Sequence, residues 1–85
     1  MASKFEIGKY YRLCSGPYNG KGSRITGLIW RVSGSKNFGM DATGDLLYIP
    51  TRPVEENEDW SSTSPEFYDE ISEEEVSVYI MANRG

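Results

Sequence analysis

The sequence predicts a single, mainly β domain: a small five-stranded antiparallel barrel or sheet with one short helix before its last strand. Three observations carry that expectation. In the stretch Arg24 to Val32, RITGLIWRV, Thr26, Leu28, Trp30 and Val32 fall on one side of an extended strand and Ile25, Gly27, Ile29 and Arg31 on the other, because side chains in a strand alternate with a period of two. Short turn-forming clusters then separate successive apolar stretches, the pattern of an antiparallel meander. Finally, 85 residues make one domain, over residues 1–85, able to bury only roughly 60–65% of its unfolded surface.

Taken in order, Met1 to Lys4 reads as a frayed polar start. FEIG leads into KYYRLC, where Tyr11 and Leu13 alternate with Tyr10, Arg12 and Cys14 as a first strand. The following SGPYNGKGS, dense in Gly, Pro and Asn, is a connecting loop that displays Tyr18 and Lys21. RITGLIWRV is the central strand and Trp30 the first core residue. After the polar turn SGSKN, a third strand places Phe38, Met40 and Ala42 inward. ATGD is read as a tight turn and LLYIP as a fourth strand, stopped by Pro50 and Pro53.

Residues 51–64 change character to a long acidic loop with an isolated Trp60. Ser64-Pro65-Glu66 is a helix start, with a side-chain cap, proline in the first turn and a carboxylate near the positive end of the dipole. A short helix over 65–71 would dock Phe67 and Ile71 on the sheet. The last segment carries two signals. Ser72 and Glu75 have capping-box spacing, which would start a helix at 73, whereas Val76, Val78 and Ile80 alternate with Ser77, Tyr79 and Met81. The β-branched alternation makes VSVYIMA the fifth strand. The proposed core is Tyr11, Leu13, Leu28, Trp30, Val32, Phe38, Met40, Leu47, Ile49, Phe67, Ile71, Val76, Val78 and Ile80.

Charge divides the chain. Residues 1–52 hold eight Lys or Arg against three acidic residues, whereas residues 53–85 hold ten acidic residues against Arg84, within a net charge of −4. Such asymmetry means a polyanionic partner for one half, a basic partner for the other, or two halves that attract each other in the fold. His is absent and Cys14 is alone, so His-dependent catalytic triads, His-ligated zinc, multi-cysteine metal sites and internal disulfides are excluded. No cofactor is implied. Without a secretory signal or an apolar run of bilayer length, a reducing cytoplasm and no membrane partner are expected.

The order of loop lengths, with a long loop after the first strand, tight turns between the middle three and a helical turn before the last, is similar to that of Src-homology-3-like small barrels. An oligonucleotide-binding type of open barrel, or a plain sheet with one helix, shares much of it. The first loop, CSGPYNGKGS, is glycine-rich and basic, unlike the acidic-aromatic loop of peptide-binding members, so the resemblance does not imply polyproline recognition. The opening KFEIGKYYRL resembles the starts of small accessory proteins of tailed bacteriophages. That resemblance implies a protein made in an infected bacterium, in the host cytoplasm, acting on a host macromolecule by binding rather than turnover.

These readings lead to a non-catalytic protein-binding module, an inhibitor of a host protein with a basic or nucleic-acid-binding groove. Its expected contacts are Glu55, Glu56, Glu58, Asp59, Trp60, Phe67, Tyr68, Asp69 and Glu70, carboxylates to occupy a basic groove and aromatics to anchor it. The alternative is nucleic-acid binding by the basic half through Lys9, Arg12, Tyr18, Lys21, Arg24, Arg31 and Lys36, pairing with phosphates and stacking bases. An enzyme is not expected, since Asp41 and Asp45, which flank a turn, are two carboxylates alone with no accompanying ligand pattern.

Overall fold

The structure is a computed structural model describing residues 2–14 and 26–82. Five antiparallel strands, β1 (Tyr10–Leu13), β2 (Ile29–Lys36), β3 (Asp41–Tyr48), β4 (Asp59–Ser62) and β5 (Tyr68–Ile71), form one sheet in the order β4-β3-β2-β1-β5. A 3₁₀ turn, Pro65–Phe67, precedes β5, and a helix α1 (Glu73–Ala82) follows it. In a flat sheet β4 and β5 would lie about 19 Å apart, four strand spacings. Instead Trp60 of β4 donates its indole N–H to the Tyr68 hydroxyl of β5 over 3.2 Å, so the sheet is curled. Register shifts between Ile29 and Trp30 and between Val32 and Gly34 supply bends.

The mainly β class, the five antiparallel strands and the short helical turn before the last strand are all present. The central strand expected over 24–32 lies at Ile29–Lys36, with Thr26 and Gly27 in a turn and Ser33 to Lys36, expected as a turn, inside the strand; the other elements differ from expectation in four respects. Residues 38–42 and 46–50 are not two strands around an ATGD turn; the turn lies at 37–40, and β3 runs straight through Gly44. Gly44 belongs inside the strand because a Cβ there would collide with the β2 backbone, at 2.8 Å from Arg31 C and 2.9 Å from Val32 Cα. The acidic stretch 51–64 contains a strand, β4. The helix expected over 65–71 lasts only through Phe67 before Tyr68 turns extended.

The fourth difference is the largest: VSVYIMA is helical, not the last strand. Ser72 and Glu75 form both halves of the capping box, Glu75 N–H donating to Ser72 Oγ at 3.1 Å and Ser72 N–H to Glu75 Oε1 at 3.2 Å. Three glutamates in the first turn complement the helix dipole. With β5 already paired to β1, the segment is free to cover the sheet, burying Val76, Tyr79 and Ile80 at positions i, i+3 and i+4.

Two clusters hold the fold. On the concave side Phe5 meets Tyr11, Trp30 and Tyr68 edge-on, with ring centroids 5.2, 5.3 and 5.4 Å away. Leu13, Leu28, Val32, Ala42, Leu46 and Ile49 surround them. The segment before β1, whose first residues through Lys4 were expected to fray, is tied down over Ala2 to Gly8. Ala2 N–H donates to Tyr68 O and Phe5 N–H to Gly39 O, both at 2.7 Å, and Gly8 N–H to Val32 O at 2.8 Å. Gly39 permits this approach, since it has φ of 90° and a Cβ would lie 2.7 Å from Lys4 Cβ. On the convex side α1 packs Val76, Tyr79 and Ile80 against Ile29, Ile71, Tyr10, Leu47 and Tyr48.

Of the expected core, Tyr11, Leu13, Leu28, Trp30, Val32, Ile49, Ile71 and Val76 are buried, while Leu47, Phe67 and Ile80 are half-buried. Phe38, Met40 and Val78 are exposed, the first two because the turn moved and the third because a helix, unlike a strand, turns residue 78 away from residues 76 and 80. Phe5, Ile29, Ala42, Leu46 and Tyr68 take core places that alternation did not assign.

Candidate functional site

On β4, Trp60 and Ser62 point toward the interior and Asp59 and Ser61 outward. The register sets Asp59 opposite Asp45 and Ser61 opposite Thr43 on β3, while Asp45 faces Arg31 on its other side. These two exposed aspartates, together with Ser33, Thr43, Ser61 and the edge of Trp60, line an open cleft of about 340 Å³. Directly opposed side chains on neighbouring strands have Cβ atoms about 5 Å apart, and like charges so placed destabilise the pair. Neither aspartate forms an ion pair among the described residues.

The connection before β4 is held by one of its own carboxylates. Glu58 takes a two-pronged contact from the Arg52 guanidinium, with Nη1 to Oε1 at 2.9 Å and Nη2 to Oε2, and accepts from Glu55 N–H at 3.1 Å. Arg52 and then the Glu55 amide lower the Glu58 carboxyl from 4.5 to about 2. Glu58 therefore orders the turn, aided by Asn57 at φ of 62°, and is committed within the chain. Glu55 and Glu56 on the same turn are exposed.

The remaining acidic-aromatic candidates separate. Tyr68 is 2% exposed and stands in the core, with Trp60 and Phe67 packed against the same cluster; Tyr68 has no surface to offer a partner. Glu70 pairs with Lys9 at 3.2 Å, a hydrogen bond that raises the Lys9 ammonium. Asp69 accepts the Cys14 thiol at 2.9 Å, which holds its own carboxyl low, while burial and then Asp69 push the thiol up. Cys14, just past the end of β1, thus serves as a hydrogen-bond donor.

Tyr18, Lys21 and Arg24 of the alternative set lie outside the described residues. The other four each meet a carboxylate. Lys9 pairs with Glu70, and Arg12, Arg31 and Lys36 stand opposite Asp69, Asp45 and Asp41 in the register. Arg12 also lies over the Tyr79 ring, 5.1 Å from its centroid. Asp41 and Asp45, expected to flank a turn, share β3 four residues apart, roughly 13 Å. The neighbour of Asp45 is Asp59, from a part of the chain no spacing rule connects to it. Among the described residues no group of three or more His, Cys, Asp or Glu could hold a metal ion.

The cleft and the curled sheet define a small antiparallel β domain with a helix on its convex face. Comparison with protein-family models, curated proteins and solved structures finds no match to the chain. No helix among the described residues is long and apolar enough to cross a membrane.

Proposed function

We propose that the domain is a non-catalytic protein-binding module that takes a basic surface of another protein through Asp45, Glu55, Glu56 and Asp59 beside the edge of Trp60. The observation that carries this reading is what remains after the charges within the fold are matched. The described basic candidates face carboxylates, whereas Glu55, Glu56 and Asp59 are exposed on or beside the edge strand β4 without an ion pair among the described residues. Asp45 and Asp59 stand opposed at a cost to the free protein. A cationic groove would offset that repulsion and match the surface electrostatically. The same placement leaves nucleic-acid binding the weaker reading, since phosphates would approach cations that stand opposite carboxylates across the strands, Lys9 being paired with Glu70.

We further assign the fold to the Src-homology-3-like small barrels. The strand order β4-β3-β2-β1-β5 and the 3₁₀ turn before β5 support it. The phage-like opening directs the search for a partner to bacterial proteins, and occupying a groove that otherwise holds phosphates would make the domain an inhibitor.

The test is capture from bacterial lysate, with and without nuclease, comparing the natural chain with one in which Asp45, Glu55, Glu56 and Asp59 are all changed to Lys. Glu58 is spared because it orders the turn. A protein retained after nuclease and lost with the four reversals, at unchanged thermal stability, is the expected result; equal retention by both chains would refute the reading.

A further inference from the structure

The turn joining β2 to β3 carries two unfavourable features on one residue. Asn37, Phe38 and Gly39 have φ of 52°, 59° and 90° in succession, and Phe38, with ψ of 32°, sits in the left-handed region that a bulky residue rarely adopts. Asn-Gly is the pair such a turn prefers. The Phe38 side chain recovers nothing from its own fold, being 99% exposed. Met40 in the same turn is 44% exposed and Ile7, on the tied-down segment before β1, is 63% exposed. Ile7 lines a second cleft, about 300 Å³, with Lys36, Asp41 and Thr43. Thr43 also lines the acidic cleft, so the two clefts adjoin along the β2–β3 hairpin, the second reaching Lys36 and Asp41 on either side of the turn that carries Phe38.

The geometry points to Phe38 as an aromatic anchor, with Met40 in the same turn, that inserts into an apolar pocket lying next to the basic surface of the same protein partner. This inference rests on the acidic-surface reading and names the second half of that interface. Asp41 is roughly 13 Å along β3 from Asp45, and a standard interface patch of about 800 Å² per partner is about 30 Å across, wide enough for both. A fully desolvated aromatic at the end of such a patch is the kind of residue that dominates binding, and the strain it holds in the free domain is of the kind that accumulates at functional sites. Charge selects the occupant. A second copy of a chain of net charge −4, docked by two-fold symmetry, would bring the acidic clefts together, and an anionic bilayer would repel them.

The test places p-benzoylphenylalanine at position 38 of the full chain and irradiates it in bacterial lysate, alone, and with phosphatidylglycerol vesicles. The expected product is a crosslink to one identified bacterial protein, at an apolar pocket beside Lys or Arg. Phe38→Gly should then weaken capture of that protein at least tenfold while its melting temperature holds or rises, since glycine relieves the backbone. A crosslink only to a second copy, only to lipid, or to nothing would overturn the inference. So would unchanged capture by Phe38→Gly, or a melting temperature that falls and marks Phe38 as structural. The four charge reversals separate the two readings: capture lost with the reversals but kept by Phe38→Gly removes the anchor alone, and the opposite result removes the acidic surface alone.

Discussion

The convex face of the sheet has two halves that lie on the same strands and share the same side-chain alternation, yet differ entirely in chemistry. Along β2 the outward positions run from Ile29 through Arg31 to Ser33, and along β3 from Leu47 through Asp45 to Thr43. Where α1 lies, Ile29, Ile71, Leu47, Val76 and Ile80 form a packed layer. Beyond it the face is hydroxyl and carboxylate, lining an open cleft. The difference teaches that alternation along a strand reports only which residues share a face. What covers that face decides whether the residues are apolar, and here the cover is a helix only long enough for half of it.

The covered half breaks first. Ile29→Ala removes a fully buried side chain from between the sheet and α1, and should cost about 2–5 kcal/mol in urea unfolding. The cover itself depends on its first turn. Ser72→Ala deletes the cap on Glu75 N–H and should cost about 1 kcal/mol, with α1 signals lost from circular dichroism ahead of the sheet.

The open half should respond with the opposite sign. Asp59→Asn removes the repulsion with Asp45 and should stabilise the free domain by a few tenths of a kcal/mol, within the roughly 0.2–1 kcal/mol range of cross-strand pairs, while weakening partner capture. A loss of stability would show that Asp59 serves the fold. The smallest effect belongs to Arg52→Met, which should return the Glu58 carboxyl from about 2 toward 4.5, read by carbon NMR of the side chain. Because the folded value is the lower one, the contribution of this pair is complete above pH 4.5 and fades as pH falls toward 2. Arg52→Met removes that dependence, and both groups being exposed keeps it slight.

Much of the interior was legible from alternation. Leu28, Trp30 and Val32 all point into the concave core, and Tyr11 and Leu13 beside them. The elements that escaped were short. A four-residue strand shows two side chains per face, and β4, Asp-Trp-Ser-Ser, has one apolar residue, so no period is readable. In β5, Tyr68 and Ile71 are both buried but on opposite faces, and with Phe67 they imitate the i, i+4 pair of a helix. Phe5 was hidden because nothing local announces that a segment outside the strands will plug the core. Of the candidate site, Glu55, Glu56 and Asp59 were visible as an acidic surface and Trp60 as its aromatic neighbour. Asp45 was visible only as a turn former, and Phe38 was placed in the core.

The sequence by itself determined the mainly β class, a strand carrying the buried Trp30, the helical start at Pro65 and the division of charge. Each depends on residues close together in the chain, where steric preference and alternation act without outside help. Only the tertiary structure decided that VSVYIMA is a helix, since cap and β-branched signals conflicted locally and the place beside β1 was already filled by β5. It alone set Asp59 against Asp45, joined Trp60 to Tyr68 and turned Phe38 to solvent. Register and curvature are properties of pairs of distant strands, and a shift of one residue exchanges every inward side chain for an outward one.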